Sequence, residues 1–196
     1  LRAELNCYGS SHMKTPNIDK LASDGMMFTN AHTQQAICTP ARIIMMLGLR
    51  PSTTGLYYLD DKMKYNHSHL NSIPHTLKNS GYKTYAFGKI YHHNDDDPDA
   101  WTDSPWRNVG SQYTKSYDPG IKPPTEANDV PDNQYPDGKI ADQAIAKLEQ
   151  IGNEQFFMAV GFMKPHLPFT APQKYWDLYD RSQISLPASE HPNDIS

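Results

Sequence analysis

The feature that most constrains the fold is an uninterrupted apolar run of seven residues, 156–162. A run with no polar position is typical of a strand that is covered on both faces, as in parallel sheets. The run follows an amphipathic stretch over 137–151, which predicts a helix capped by Asp137 and ended by Gly152. A helix that leads into such a strand is the repeating unit of α/β folds.

The rest of the sequence repeats this alternation. Three more helices are predicted, each with a capping residue or proline at its start and a glycine at its end, at 15–25, 40–48 and 72–81. Two more strands are predicted, at 26–31 and 83–87. Residues 94–138 show no periodicity and predict a long irregular insertion or substrate-side loop. The predicted fold class is α/β, with a mostly parallel central sheet flanked by helices.

Bulk properties exclude several classes of function. With 196 residues the chain can form one large domain, and its formal net charge of −4 gives no basic surface for nucleic acid. No apolar run approaches the roughly 18 residues that a membrane span requires. The two cysteines do not form a disulfide framework, and we expect Cys7 to be a small buried side chain.

Candidate site residues follow the three predicted strands. Cys38 comes after the first strand, Lys89 and His92 after the second, and His166 after the third. Ligands of open parallel sheets bind outside the carboxyl ends of the strands. We therefore predict that these side chains, together with Arg42, converge at one edge of the sheet.

The segment around Cys38 has the clearest chemical character. Cys38 precedes Pro40 at a predicted helix start, where the helix dipole favours an anion. Arg42 lies one helical turn further on the same face, so it can hold an oxyanion or a sulfate group. The alternative is a buried cysteine beside a surface arginine.

Three motifs resemble those of one enzyme family. Cys-x-Pro-x-Arg at 38–42 resembles the core of the motif at which sulfatases have a cysteine oxidised to formylglycine. Gly-Lys-x-x-His at 88–92 and Lys-Pro-His at 164–166 fit the same family, as do 1–9 and 15–22. The chain therefore resembles the N-terminal portion of the catalytic domain of formylglycine-dependent sulfatases, in the alkaline-phosphatase-like superfamily. The iduronate-2-sulfatase type is the most similar, and the match is weakest over 94–138.

The resemblance implies a mechanism and a role for each residue. Formylglycine at position 38 would first add water to form a geminal diol. One hydroxyl of the diol, bound to a calcium ion, would then attack the sulfur of a sulfate ester. Lys89 binds a sulfate oxygen, and His92 takes the proton that allows sulfate to leave. His166 contacts the sulfate and is a candidate acid for the leaving group. Without the family, Lys89, His92 and His166 would be interpreted as surface or structural side chains.

The resemblance also implies partners and a compartment. The substrate would be a sulfated sugar or glycosaminoglycan. The calcium ligands other than Cys38 would come from the remainder of the sulfatase chain. The protein would be lysosomal, secreted or periplasmic. Because the family's acidic metal ligands do not occur in these 196 residues, we expect this piece alone to be inactive.

Two alternatives to a sulfatase stay open. The family's serine after the motif proline is Ala41 here, and its Leu-Thr-Gly-Arg is Met-Leu-Gly-Leu with Arg50 one place later. These departures favour a non-catalytic sulfatase-fold protein that binds sulfated glycans or serves a structural role. A hydrolase of phosphate or phosphonate esters is the other alternative, although its relatives prefer serine or threonine to a cysteine such as Cys38.

Other polar and aromatic residues are assigned no site. We expect surface or loop positions for His67, His69, His75 and His93, and solvated carboxylates at Asp95, Asp96 and Asp97. We expect Lys164 to be an exposed loop charge, and the tryptophans at 101 and 106 to pack the insertion.

Overall fold

The computed structural model describes residues 4–63, 69–93, 97–118 and 120–184. The chain forms two compact units. The smaller unit comprises Leu1–Asn30, Ala127–Val130 and Ala171–Ser196, and the larger comprises Ala31–Glu126 and Pro131–Thr170. Every candidate site residue lies in the larger unit. No helix in the described ranges is both long and apolar enough to cross a membrane.

In the described chain four α-helices precede the first strand, and two further α-helices lie among and after the strands. The α-helices are α1 (Pro16–Asp24), α2 (Cys38–Leu47), α3 (Pro51–Thr54), α4 (Ile73–Asn79), α5 (Pro136–Ile151) and α6 (Gln173–Trp176). The strands are β1 (Lys83–Gly88), β2 (Thr125–Asn128), β3 (Phe156–Gly161) and β4 (Phe169–Pro172). β1 pairs with β3, and β2 pairs with β4.

The parallel pairing that the sequence predicts is confirmed. β1 and β3 run parallel, in a register from Lys83 opposite Phe156 to Gly88 opposite Gly161. The chain passes through α5 before β3, and α5 packs against both strands. The fold class is therefore α/β.

β1 lies between two apolar clusters because its side chains alternate between its faces. One cluster contains Ala86 with residues of α2 and of the loops around it, and the other contains Tyr85 and Phe87 with residues of α5. Trp101 is buried in the first cluster and stacks on Phe157, with ring centroids 6.4 Å apart. The prediction that this tryptophan packs is therefore confirmed, and part of the range 94–138 belongs to the core.

Two strand predictions are wrong in part. Residues 26–31 form no strand, and Met26 and Phe28 are 81% and 68% exposed. An extended segment needs a hydrogen-bonded neighbour, and none of the described strands pairs with it. β3 is a strand, but Phe156 and Val160 are 39% and 40% exposed, so double coverage is not observed.

Some helix ends follow the predictions and others do not. α2 begins at Cys38, two residues before the predicted start, α4 ends with Ser80 and not Gly81 at its C-cap, and Thr15 makes no side-chain capping hydrogen bond to α1. Gly48 ends α2 in the left-handed conformation, with φ 66° and its N–H bonded to the Ile44 carbonyl. Ser72 caps α4 by accepting from His75 N. Gly25 is extended after α1, with φ −134°, and the N-cap of α5 is Tyr135 and not Asp137.

Two glycines allow the paired strands to approach closely at their carboxyl ends. A Cβ atom at Gly161 would overlap the Lys89 carbonyl, and one at Gly88 would overlap the Gly161 carbonyl. Lys89 N donates to the Gly161 carbonyl at 2.7 Å across the same point. The chain leaves β1 here into residues 89–93, which we call the site segment.

Gly161→Ala is expected to destabilise the protein by about 1–3 kcal/mol, since the methyl group must displace main-chain atoms of the site segment. Urea unfolding of the variant and the parent measures the free energy difference. Gly25→Ala is the control, because Gly25 has an ordinary φ and meets only the Leu21 carbonyl at 3.3 Å. Equal losses in both variants would contradict the close-approach argument.

Candidate active site

Four of the five predicted site residues are brought together by α2 and the site segment. Cys38 is the first residue of α2, and Arg42 follows one turn later. The Arg42 Nη1 atom donates to the carbonyl oxygens of Lys89 at 2.6 Å and Ile90 at 3.1 Å. This contact joins the helix start to the segment that also carries His92.

Arg42 is half-buried, and its observed partners are main-chain carbonyls. Burial lowers the pKa of Arg42 from its ordinary value, and Cys38 opposes this shift electrostatically. The guanidinium stays charged because arginine does not lose its proton in proteins. Its role as a sulfate contact stays a prediction, and the structure gives it a second role in fixing the site segment.

Lys89 lies in a positively charged surrounding. Burial lowers the pKa of Lys89, the positive charge of Arg42 lowers it further, and Cys38 opposes both effects. Removal of the ammonium group from water costs free energy unless an anion compensates. Lys89 is therefore suited to bind an anionic group.

His92 has a buried ring nitrogen without a hydrogen-bond partner among the described residues: its Nδ1. Burial lowers the pKa of His92 below 6.5, and the positive charges of Lys89, His93, Arg42 and Arg107 add to this, in decreasing order. The imidazole is therefore neutral near pH 7 and able to accept a proton.

A cavity of about 300 Å³ opens beside Lys89 and His92. Its other walls come from four parts of the chain: the end of β1, the start of α5, the loop after β3 and the loop after Trp106. The residues are Gly88 in β1, Pro136 and Ile140 in α5, Met163 after β3, and Arg107, Asn108, Val109, Gly110 and Gln112 after Trp106. Among the described lining residues the side chains are cationic or neutral and none is a carboxylate, so they favour an anionic ligand.

Three polar lining residues, Arg107, Asn108 and Gln112, were missed by the sequence analysis. They lie in the range 94–138, where no periodicity marks them. One signal was available for Arg107, which is the only arginine between Arg50 and Arg181.

The wall formed by this loop is tied to a buried carboxylate. Glu126 accepts hydrogen bonds from Thr114 N and Oγ1 and from the hydroxyls of Tyr117 and Tyr135, at 2.7–3.0 Å. Burial raises the pKa of Glu126, but these hydrogen bonds outweigh burial and lower it overall. The wall is therefore held by an ionised side chain.

His166 lies where the sequence predicts, in the loop after β3. Its side chain is exposed, and Nδ1 lies 2.6 Å from the Leu167 carbonyl. Over the described residues, no hydrogen bond or ring contact joins His166 to the other four candidates. Its convergence with them stays a prediction.

Lys164 and Asp137 hold the loop that carries His166. The prediction that Lys164 is an exposed loop charge is wrong: it is partly buried, and Nζ donates to Gln112 Oε1 at 3.0 Å and to the Pro168 carbonyl. Burial lowers its pKa, which Asp137 opposes. Asp137 accepts from Met163 N at 2.7 Å and Lys164 N at 3.0 Å.

The other histidines and acids form no metal site in the described chain, where no three His, Cys, Asp or Glu side chains are grouped to hold an ion. The prediction that Asp97 is solvated is wrong, since it is 8% exposed and accepts from Ser72 and Tyr91. His75 lies 3.7 Å from it. His67, Asp95 and Asp96 lie outside the described residues.

Asp137→Asn is expected to cost about 1–3 kcal/mol in the free energy of unfolding, because the amide offers one acceptor where two main-chain N–H groups need one each. Denaturant titration measures this loss. Asp142→Asn, an exposed change in the same helix, is the control and should change stability little. A small effect at both positions would show that the loop does not depend on Asp137.

Stability is expected to fall as the pH drops below about 6.5, because His92 has a lowered pKa in the folded state and the unfolded chain binds the proton more tightly. Unfolding should therefore be measured at about pH 5 and about pH 8. His92→Gln should reduce the difference between the two, whereas His12→Gln, at an exposed histidine, should not. Identical pH dependence in parent and His92→Gln would contradict the lowered pKa.

Comparison with known proteins identifies relatives along the chain. Human iduronate 2-sulfatase is 36% identical over 213 aligned residues, which cover 100% of this chain and 39% of that protein. A sulfatase of Formosa agariphila is 31% identical, over 94% of this chain and 41% of its own length. The chain thus spans about two fifths of the length of these curated relatives.

Solved structures share the fold. The phosphonate monoester hydrolase of Agrobacterium radiobacter superposes with a TM-score of 0.71 at 21% identity, over 94% of this chain and 43% of its own. A protein solved in complex with its substrate D-glucosamine-2-N,6-O-disulfate gives 0.62 at 23% identity, over 84% and 32%. The α/β fold is thus the alkaline-phosphatase-like one. The Sulfatase family model matches residues 2–192, and the chain therefore belongs to the sulfatase family.

Proposed function

We propose that this chain is part of a sulfatase that hydrolyses sulfate esters of a sulfated sugar or glycosaminoglycan, in the manner of the iduronate 2-sulfatases it resembles. The observation that carries the proposal is the cluster of Cys38, Arg42, Lys89 and His92 beside a cavity whose described lining residues include cations and no carboxylate. A sulfate ester is anionic throughout its hydrolysis, so this surrounding favours it at each stage.

Cys38 is the proposed nucleophilic position, after oxidation to formylglycine. When present, hydrated formylglycine supplies an oxygen nucleophile for sulfur. The first turn of α2 has main-chain N–H groups without helical partners, and their positive end lies at position 38. Lys89 offers up to three donors to the sulfate oxygens, on which negative charge accumulates as the ester bond breaks.

His92 is the proposed general base. Its neutral state near pH 7 and its unpartnered Nδ1 allow it to hold a proton that leaves position 38. His166 is proposed as a further sulfate contact and leaving-group acid, on the basis of its motif alone.

Calcium is part of the proposal only through the family resemblance. The described residues do not fit a calcium site by themselves, since Ca²⁺ takes six to eight oxygens and no suitable group of side chains occurs among them. The roles proposed for this chain's own residues therefore do not involve the ion. We propose that the remaining ligands come from the remainder of the sulfatase chain, and that the enzyme acts in a lysosomal, secreted or periplasmic compartment.

Cys38→Ala in the complete protein is expected to abolish hydrolysis of an aryl sulfate, a loss of at least about 1000-fold, because the nucleophile is removed. In the parent protein, the tryptic peptide that contains position 38 should weigh about 18 Da less than the same peptide with an unmodified cysteine. Cys7→Ala is the matched control and should retain turnover. Turnover near the parent rate in Cys38→Ala would rule out this mechanism.

The same assay separates the alternatives. A non-catalytic glycan-binding protein would bind sulfated oligosaccharide but release no sulfate from any ester. A phosphonate or phosphate hydrolase would turn over an aryl phosphonate faster than the matched aryl sulfate. The motif departures at Ala41 and Arg50 make the mass measurement the first one to perform.

A further inference from the structure

The site segment is irregular, and two arginines compensate for its missing main-chain partners. Its carbonyls are outside any helix or strand and lack the hydrogen bonds that those elements supply. Arg42 Nη1 binds the carbonyls of Lys89 and Ile90, as described above. Arg107 Nη2 binds those of Tyr91 at 3.3 Å and His93 at 2.8 Å.

The two carbonyls that Arg107 binds belong to the neighbours of His92 on either side. One guanidinium nitrogen thus spans the His92 residue and restrains the main-chain dihedrals that set the direction of its ring. The neighbouring side chains are restrained as well. Tyr91 donates to the buried Asp97 at 3.0 Å, and His93 Nε2 lies 3.0 Å from the Leu59 carbonyl.

Arg107 is itself placed by the sheet. Trp106 N donates to the Ala86 carbonyl at 2.9 Å, and Gly88 N donates to the Trp106 carbonyl at 2.8 Å. Residue 106 therefore extends the hydrogen bonding of β1 on the side away from β3. The next residue, Arg107, then lies beside the segment that leaves β1.

We propose that Arg107 is the positioning residue of His92: by holding the carbonyls on both sides, it directs towards the cavity a ring whose Nδ1 atom has no hydrogen-bond partner among the described residues. This inference rests on the proposed function, in which His92 accepts a proton. It gives Arg107 a role in setting the rate of proton transfer, in addition to the positive charge that it contributes to the cavity wall.

Electrostatics adds a second, separable signature. The groups that act on the pKa of His92 are Lys89 and His93 in its own segment, Arg42 from α2 and Arg107 from the loop after Trp106. All of them lower the pKa. Loss of the Arg107 charge should therefore raise the pKa of His92, whereas loss of the two-carbonyl contact alone should not.

Two variants of the complete protein separate these effects. Arg107→Gln removes both the charge and the extended guanidinium. Arg107→Lys keeps the charge but replaces the planar group with a single ammonium centre on a shorter reach. Arg181→Gln is the control, because Arg181 is exposed and lies in the smaller unit.

The readouts are kcat and KM for an aryl sulfate across pH, together with the NMR titration of His92 in protein labelled at histidine. Both Arg107 variants should lose about 10-fold to 100-fold in kcat because the ring is misplaced, and Arg107→Lys, which keeps the positive charge, should do so with little change in KM. Only Arg107→Gln should also move the acidic limb of the pH profile, and the His92 titration, to higher pH. Arg181→Gln should match the parent in every readout.

A parent-like kcat in both Arg107 variants would overturn the proposal. So would a loss of kcat with an unchanged His92 resonance and titration in Arg107→Gln, which is the result expected of a residue that only supports the fold. If the parent itself releases no sulfate, the proposed function fails, but the His92 resonance still tests whether Arg107 orients the ring. The two failures are therefore distinguishable.

Discussion

The parallel pairing of β1 with β3 is the constraint on which the site depends. Its last pair is Gly88 and Gly161, and the absence of side chains there lets Lys89 N reach across to β3. The site segment therefore starts at a fixed point between the strand ends. Ile43 and Met46 of α2 pack in one cluster with Ala86 of β1. This packing brings the start of α2, with Cys38 and Arg42, to the ends of the strands.

Main-chain carbonyls and arginines form the second layer of organisation. The guanidinium groups of Arg42 and Arg107 stay charged while they bind carbonyl oxygens, because arginine does not lose its proton in proteins. Arg42 and Arg107 thus fix the backbone and add positive charge near the cavity, which lowers the pKa values of Lys89 and His92 further than burial alone does. A preorganised charge of this kind does not have to reorganise when an anionic ligand arrives.

Local signals predicted the helices well, and non-local contacts account for the errors. The cap of α4 at Ser72 and the end of α2 at Gly48 depend on neighbouring residues, so the sequence contains the information. The segment 26–31 needs a partner strand, which its own pattern cannot supply. Asp137 was predicted as a cap because it lies at a helix start, but its carboxylate binds Met163 and Lys164, which are distant in sequence. Arg107 was missed for the same reason.

The carboxylate of Glu126 has a consequence for tolerance to acid. Because the pKa of Glu126 is lowered, the four hydrogen bonds that it accepts stabilise the folded protein at neutral pH. This stabilisation is lost as the pH falls through the lowered pKa. With its pKa below the ordinary value of 4.5, Glu126 stays ionised in mild acid, and its hydrogen bonds persist there. Mild acidity that protonates the proposed base would thus leave the hydrogen bonds of this cavity wall in place, and neutralisation would restore the base beside the same wall.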